Sequence, residues 1–115
     1  MKIKTLYFLD DEPDLCEAFS IFFESDELDV HVFTDHEKAI ERANISPPDL
    51  MFIDFRLDGT NGEEVAKALP ANITKVMLTG ELDMQPSERF FDVIHKPYKL
   101  ADLYAFIQSI EERIN

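Results

Sequence analysis

The sequence predicts a doubly wound α/β domain, with five parallel strands ordered 2-1-3-4-5 and helices on both faces of the sheet. Short apolar runs alternate with helical patterns along the 115 residues, as in a sheet that is buried on both faces. An apolar content of 45% and ten phenylalanines supply a sizeable core. No repeat or linker divides the chain, so we expect residues 1–115 to form one domain.

The first half of the chain is expected to contain three strands and two helices. Helix one, at about Pro13–Glu24, has proline at the first helical position, where its missing N–H costs nothing. Helix two, at about His36–Asn44, follows either a capping box of Thr34 and Glu37 or a cap from Asp35. The strands are expected at Ile3–Leu9, Val30–Phe33 and Leu50–Asp54.

The second half continues the alternation with shorter elements. Helix three is expected at Gly62–Leu69, and Pro86–Phe91 is the best candidate for helix four. The apolar residues of helix five recur at helical spacing, at Leu100, Leu103, Ile107, Ile110 and Ile114. Strands four and five are expected at Lys75–Leu78 and Val93–His95.

Polar residues follow the apolar runs of four predicted strands. They are Asp10 and Asp11 after strand one, Asp54 at strand three, Thr79 after strand four and Lys96 after strand five. Because ligands bind outside the carboxyl ends of the strands in such sheets, we expect these side chains to converge on one rim. Clustered carboxylates repel one another unless a cation joins them, and Mg²⁺ prefers hard oxygen ligands. The rim therefore predicts a site for a divalent cation and a phosphoryl group.

Charge and cysteine content exclude several classes of function. The net charge of −13 argues against direct binding of nucleic acid or of an anionic membrane, since both require a basic patch. Cys16 is the one cysteine and has no internal partner, which indicates a reducing, cytoplasmic location. The sequence contains neither a signal-peptide layout nor a run of eighteen apolar residues, so we expect no membrane span.

Taken together, these residues resemble the receiver (phosphoacceptor) domain of bacterial two-component response regulators. The resemblance rests on the ordered strand-end residues and on Gly62, which lies where the family keeps a glycine before helix three. It implies a flavodoxin-like fold and a phosphorylation-dependent signalling switch. The partners that it implies are a histidine kinase or a histidine phosphotransfer protein, and an output domain or downstream protein.

The resemblance also implies a role for each residue of the rim. Asp54 would accept the phosphoryl group, Lys96 would contact a phosphoryl oxygen, and Thr79 would donate a hydrogen bond to another oxygen after phosphorylation. The implied Mg²⁺ ligands are Asp10 through water, Asp11, Asp54 and the backbone carbonyl of Arg56.

The sequence departs from the family pattern at three places. Val93 occupies the position of a customary aromatic residue, with Phe91 two residues earlier on the same predicted face. Asp58 replaces a common proline and predicts a more flexible, more acidic loop. Short spacings on both sides of Thr79 predict stubby helices three and four. The sequence therefore leaves open whether a conventional dimer forms through helix four, and with it the oligomeric state.

One hypothesis about the same rim and two alternative functions remain open. Arg56 and Glu81 each lie two residues past a site residue, so an ion pair between them would cover the path of water to an acyl phosphate. The chain could instead be a degenerate receiver that acts as a constitutive protein-interaction module. A Mg²⁺-dependent phosphohydrolase is a further alternative, although Arg56 stands where such an enzyme needs a second acid. We expect a receiver that phosphorylates itself and slowly dephosphorylates itself, rather than a turnover enzyme.

Overall fold

Five parallel strands form one sheet in the computed structural model, which describes residues 2–114 and the side chains of residues 2–112. The sheet contains β1 (Thr5–Leu9), β2 (Asp29–Phe33), β3 (Leu50–Asp54), β6 (Thr74–Thr79) and β7 (Asp92–His95), in the order β2-β1-β3-β6-β7. Counted within this sheet alone, the order is 2-1-3-4-5. The predicted doubly wound fold is therefore confirmed.

Four helices cover the sheet, namely α1 (Pro13–Phe23), α2 (His36–Ile45), α3 (Gly62–Lys67) and α4 (Leu100–Ile114). The Asp35 carboxylate accepts a hydrogen bond from the backbone N–H of Glu37, so Asp35 caps α2 rather than the Thr34 capping box. Pro13 begins α1 as predicted. Leu103, Ile107 and Ile110 of α4 are buried, whereas the side chain of Ile114 lies outside the described residues.

The core has two layers because alternate strand residues face opposite sides of the sheet. Phe8, Phe52 and Leu78 pack with Phe19 of α1 and Leu103 of α4 on one face. The opposite face buries Tyr7, Met51 and Met77 against Ala39, Ala43 and Val65 of α2 and α3. Burial on both faces explains why the central strands β1 and β3 read as nearly continuous apolar runs.

The helix predicted at Pro86–Phe91 does not form. The described backbone of residues 80–91 contains turns instead, with Met84 N–H bonded to Glu81 O and Phe90 N–H bonded to Ser87 O. Proline at the first position does not by itself prevent a helix. A stretch of only six residues gains little from helix formation, because the first turn fixes several residues for one hydrogen bond. Ser87 N–H donates to Glu63 Oε2 at 2.8 Å, and Phe91 N–H donates to Lys75 O at 2.7 Å. These bonds attach the segment to α3 and β6.

Two smaller differences from the sequence prediction lie at the start of β1 and after β3. β1 begins at Thr5 rather than Ile3, and the N–H groups of Ile3 and Lys4 donate to the carboxylates of Glu111 and Asp49. After β3, the chain forms an unpredicted hairpin of β4 (Arg56–Leu57) and β5 (Thr60–Asn61). Asp58 and Gly59 make its turn, in which Gly59 has a φ of 77°.

Candidate functional site

The strand register brings the predicted site residues to one edge of the sheet. Leu9 pairs with Ile53, Asp54 pairs with Leu78, and Thr79 pairs with His95, so the residues that follow these strands end at the same level. Carboxylate oxygens of Asp10, Asp11 and Asp54 all lie within 4.8 Å of one another. The predicted convergence of three carboxylates is therefore observed.

Asp10 is the most buried of the three acids, with no exposed surface. Its Oδ1 accepts a hydrogen bond from the N–H of Glu12 at 3.0 Å, while its buried Oδ2 has no hydrogen-bond partner among the described residues. Burial raises the pKa of Asp10 from 3.8 to about 6, and the charge of Asp54 contributes to that increase. A buried oxygen without a donor costs free energy, which a cation at this position would recover.

Asp54 and Lys96 form the closest ion pair of the site. Lys96 Nζ lies 2.7 Å from Asp54 Oδ1 and 3.9 Å from Asp10 Oδ2. Burial raises the pKa of the Asp54 carboxyl, whereas the hydrogen bond from Lys96 opposes that increase. Burial lowers the pKa of Lys96, but the contact with Asp54 and the nearby carboxylates together raise it above its usual value. Lys96 therefore supplies a firmly protonated donor beside the Asp54 oxygen.

Thr79 is the last residue of β6 and is 2% exposed. Its Oγ1 accepts a hydrogen bond from the N–H of Glu81 at 3.1 Å, so the hydroxyl proton stays available to another acceptor. The backbone O of Thr79 accepts from Lys96 N–H at 2.7 Å, which joins the two strand ends. The hydroxyl is thus connected directly to the segment 80–91.

An open cavity of about 380 Å³ leads to this edge of the sheet. Its lining consists of Asp54, Arg56, Thr79, Gly80, Glu81 and Lys96. Arg56 and Glu81 form an ion pair at its mouth, so the predicted pairing of these two side chains is confirmed. Its effect on water access stays a prediction. The donor set of three clustered carboxylates fits a divalent cation with oxygen ligands, and the cavity has room for a phosphoryl group.

Gly62 lies directly beneath the site at the start of α3. A Cβ atom there would lie 3.1 Å from the carbonyl O of Asp54 and 3.3 Å from Cα of Phe55. The N–H of Gly62 also donates to Phe55 O at 2.8 Å. Close approach of α3 to the end of β3 therefore explains why glycine occupies this position.

Tyr98 is a neighbour of the site that the sequence did not single out. Its hydroxyl is buried and has no hydrogen-bond partner among the described residues. Burial raises the pKa of Tyr98, and the charges of Asp10 and Asp54 raise it further. Its place two residues after Lys96 was a usable signal, but the missing partner for its hydroxyl can be seen only in the fold.

Val93 occupies the position, three residues before Lys96, where the family usually has an aromatic residue. Val93 is half-buried and packs against the core layer of α2 and α3, while the nearby Phe91 is 46% exposed. An aromatic ring therefore does not occupy the position three residues before Lys96.

The chain is similar to known proteins in both sequence and fold. The family model of the response regulator receiver domain matches residues 7–108. The DNA-binding response regulator MtrA of Mycolicibacterium smegmatis is 30% identical over 108 residues, which cover 88% of this chain and 47% of that protein. The heme response regulator HssR of Staphylococcus epidermidis is 25% identical over 112 residues, covering 91% of this chain and 50% of that protein. The chain thus spans about half the length of the curated relatives that it matches.

Solved structures show the same fold. A receiver domain protein (CheY-like) from Methanospirillum hungatei superposes with a TM-score of 0.84 at 20% identity, covering 97% of this chain and 96% of that one. A two-component response regulator from Clostridium difficile gives a TM-score of 0.84 at 23% identity, with 97% and 98% covered. Because the family model matches most of the sequence, the chain belongs to the response regulator receiver domain family of two-component systems.

Proposed function

We propose that residues 1–115 form one receiver domain that accepts a phosphoryl group on Asp54 and changes its affinity for an output partner. The contact between Asp54 Oδ1 and Lys96 Nζ, at 2.7 Å beside two further carboxylates, is the observation that carries this proposal. Response regulators interact with histidine kinases. We therefore propose a phosphohistidine of a kinase or of a phosphotransfer protein as the donor.

Phosphoryl transfer would proceed by attack of an Asp54 carboxylate oxygen on phosphorus. The bond between phosphorus and the donor imidazole nitrogen breaks, and its electron pair remains on that nitrogen. Lys96 would hold a phosphoryl oxygen by a charge-assisted hydrogen bond. The Thr79 hydroxyl has a free proton for a second oxygen, because its Oγ1 only accepts from Glu81 N–H. This second contact would draw the start of segment 80–91 toward Asp54.

The acidic cluster would hold Mg²⁺ through Asp11, Asp54 and the backbone carbonyl of Arg56, with Asp10 binding through water. The Oδ2 atom of Asp10, which has no partner among the described residues, supports this assignment. When bound, Mg²⁺ supplies positive charge that offsets carboxylate repulsion and stabilises the transferring oxygens.

Charge and helix length bear on which other partners the domain has. None of the helices in residues 2–114 has the length and apolar character needed to cross a lipid bilayer. A net charge of −13 favours neither nucleic acid nor an anionic membrane as a direct partner of this segment. MtrA is named as DNA-binding, but this chain covers only 47% of that protein. We propose a cytoplasmic location and an output domain or downstream protein as the receiver of the signal.

Incubation with acetyl phosphate tests the proposal. Intact mass should show one added phosphoryl group that requires Mg²⁺ and is absent from Asp54→Asn. Asp26→Asn, at an exposed acid distant from the rim, should behave as wild type. A folded wild type that stays inert toward acetyl phosphate and beryllofluoride would favour a constitutive interaction module. Multiple turnover of phosphoesters would favour a phosphohydrolase.

A further inference from the structure

A buried lysine lies at the end of β6 that is remote from the phosphoacceptor. Lys75 is the second residue of β6 and is 3% exposed, whereas Thr79 ends the same strand at the cavity of Asp54. Lys75 takes no part in the chemistry proposed for Asp54. Its ammonium group therefore requires a separate explanation.

The charge of Lys75 is only partly compensated. Its Nζ donates to the carbonyl oxygens of Pro70 at 2.9 Å and Ile73 at 3.2 Å, which are both neutral. No carboxylate within residues 2–112 forms an ion pair with it. A buried charge without a charged partner is costly. Burial lowers the pKa of Lys75, and the charge of Arg89 lowers it further.

Lys75 and Arg89 line the same surface cavity of about 390 Å³, at the end of α3. We call it the Lys75 cavity. Lys67 and Glu88 also line it, but Lys67 Nζ is already paired with Glu64 at 2.8 Å. Within the described side chains, the guanidinium of Arg89 forms no ion pair. Lys75 and Arg89 thus line one cavity, and neither forms an ion pair with a described carboxylate. This is notable in a chain whose net charge is −13.

We propose that the Lys75 cavity binds a small oxyanion of the phosphate class, with Lys75 and Arg89 as charged donors. Lysine has three N–H donors, so Lys75 retains one beyond its two carbonyl contacts. The Arg89 guanidinium offers a planar pair of donors that matches phosphate oxygens. An anion between them would replace their mutual repulsion by attraction. The ligand is free phosphate or the phosphate group of a small phosphomonoester.

Glu88 provides a control for Arg89, because the two adjacent side chains carry opposite charges. Its carboxylate lines the Lys75 cavity beside Arg89, and both side chains lie on the surface of the fold. A bound dianion would be repelled by Glu88 and attracted by Arg89. Neutralising these adjacent residues should therefore change affinity in opposite directions, although each variant keeps the fold.

Binding would also affect the segment 80–91, which contains Arg89. Phe91 N–H already donates to Lys75 O at 2.7 Å, so this end of the segment lies against β6. An anion that joins Arg89 to Lys75 would hold the same end more firmly. The proposal does not depend on phosphorylation of Asp54.

Amide NMR of the full chain in EDTA tests this inference, with inorganic phosphate and glycerol phosphate as separate probes at constant ionic strength. We expect saturable shifts confined to residues 66–75 and 88–91, and the tighter probe identifies the source of the ligand. Arg89→Gln should weaken binding about tenfold or more, as loss of a charge-assisted hydrogen bond requires. Glu88→Gln should tighten binding. Lys4→Gln, which removes an exposed charge elsewhere, should change the Kd by less than about twofold.

Three results would overturn the inference. The first is the absence of saturable shifts with both probes. The second is equal weakening by Arg89→Gln and Lys4→Gln, which would indicate general screening. The third is unchanged affinity in a Lys75→Met variant that circular dichroism shows to be folded. If Lys75→Met does not fold, the comparison of Arg89→Gln with Glu88→Gln decides.

Discussion

Replacement of Asp10 by asparagine should stabilise the metal-free protein and weaken its response to Mg²⁺. The asparagine side chain would keep an oxygen that can accept from the N–H of Glu12, the contact that Asp10 Oδ1 makes at 3.0 Å. The substitution would remove a buried negative charge that lies within 4.8 Å of two other carboxylates. The variant therefore separates the effect of the clustered charges on stability from their effect on Mg²⁺ binding.

The magnitude follows from the pKa of Asp10. An increase from 3.8 to about 6 corresponds to about 3 kcal/mol of unfavourable ionisation in the folded protein at neutral pH. The asparagine amide would face Lys96 Nζ, which lies 3.9 Å from Asp10 Oδ2, and this contact reduces the gain. We expect Asp10→Asn to raise the free energy of unfolding in EDTA by about 1–3 kcal/mol.

Urea unfolding followed by circular dichroism measures this change. Wild type should gain about 2.7 kcal/mol when Mg²⁺ is present at about one hundred times its Kd, and Asp10→Asn should gain distinctly less at the same concentration. Asp26→Asn is the matched control, since it removes one exposed negative charge. A variant that is less stable than wild type in EDTA, or that responds equally to Mg²⁺, would refute the reasoning.

Further predictions concern pH, water access and packing. The stability of metal-free wild type should fall as pH rises from about 4 to about 6, because folded Asp10 holds its proton up to about pH 6 while the unfolded chain releases it near 3.8. This part of the fall should disappear in Asp10→Asn, and a flat wild-type curve would contradict it. Arg56→Ala and Glu81→Ala should each speed hydrolysis of phosphorylated protein by opening the cavity mouth; unchanged rates in both, measured by intact mass, would reject a role for the ion pair. Gly62→Ala should cost about 1–3 kcal/mol in urea unfolding, since its Cβ would lie 3.1 Å from the Asp54 carbonyl oxygen, and a neutral substitution would disprove that steric conflict.

The site could be predicted from the sequence because it depends on strand ends. Apolar runs identified β3 and β6, and parallel pairing then required Asp54 and Thr79 to reach the same edge. The contact of the Asp54 carboxylate with Lys96 also follows from their opposite charges. The ion pair between Arg56 and Glu81 was also predictable, because both residues lie two positions beyond the strand ends.

Other features could not be predicted because they depend on hydrogen bonds that form only in the folded chain. Lys75 looks like an ordinary strand residue in the sequence, since its burial depends on the carbonyl oxygens of Pro70 and Ile73. Just before β1, the N–H of Ile3 donates to a carboxylate of Glu111, which is remote in sequence. Six residues with a proline at their start could not show whether helix four would form.

The hairpin of β4 and β5 gives a different lesson. Asp58 in place of a proline predicts a flexible loop, because the restriction that proline places on the backbone is missing. The pair Asp58-Gly59 instead serves as a two-residue turn between short antiparallel strands, with glycine at a positive φ. The structure therefore shows a paired hairpin where the sequence predicted a flexible loop.

The turns of residues 80–91 have a consequence for engineering this chain. A helix moves as one body because each turn is bonded to the next. This segment is instead attached at separate points, by the ion pair of Glu81 with Arg56, by bonds from Ser87 and Phe91, and by the buried ring of Phe90. Leu82 is 81% exposed between those attachments and the strand end at Thr79. If phosphorylation of Asp54 draws this segment toward the rim, as proposed, a fluorescent reporter grafted at this exposed position should respond to it.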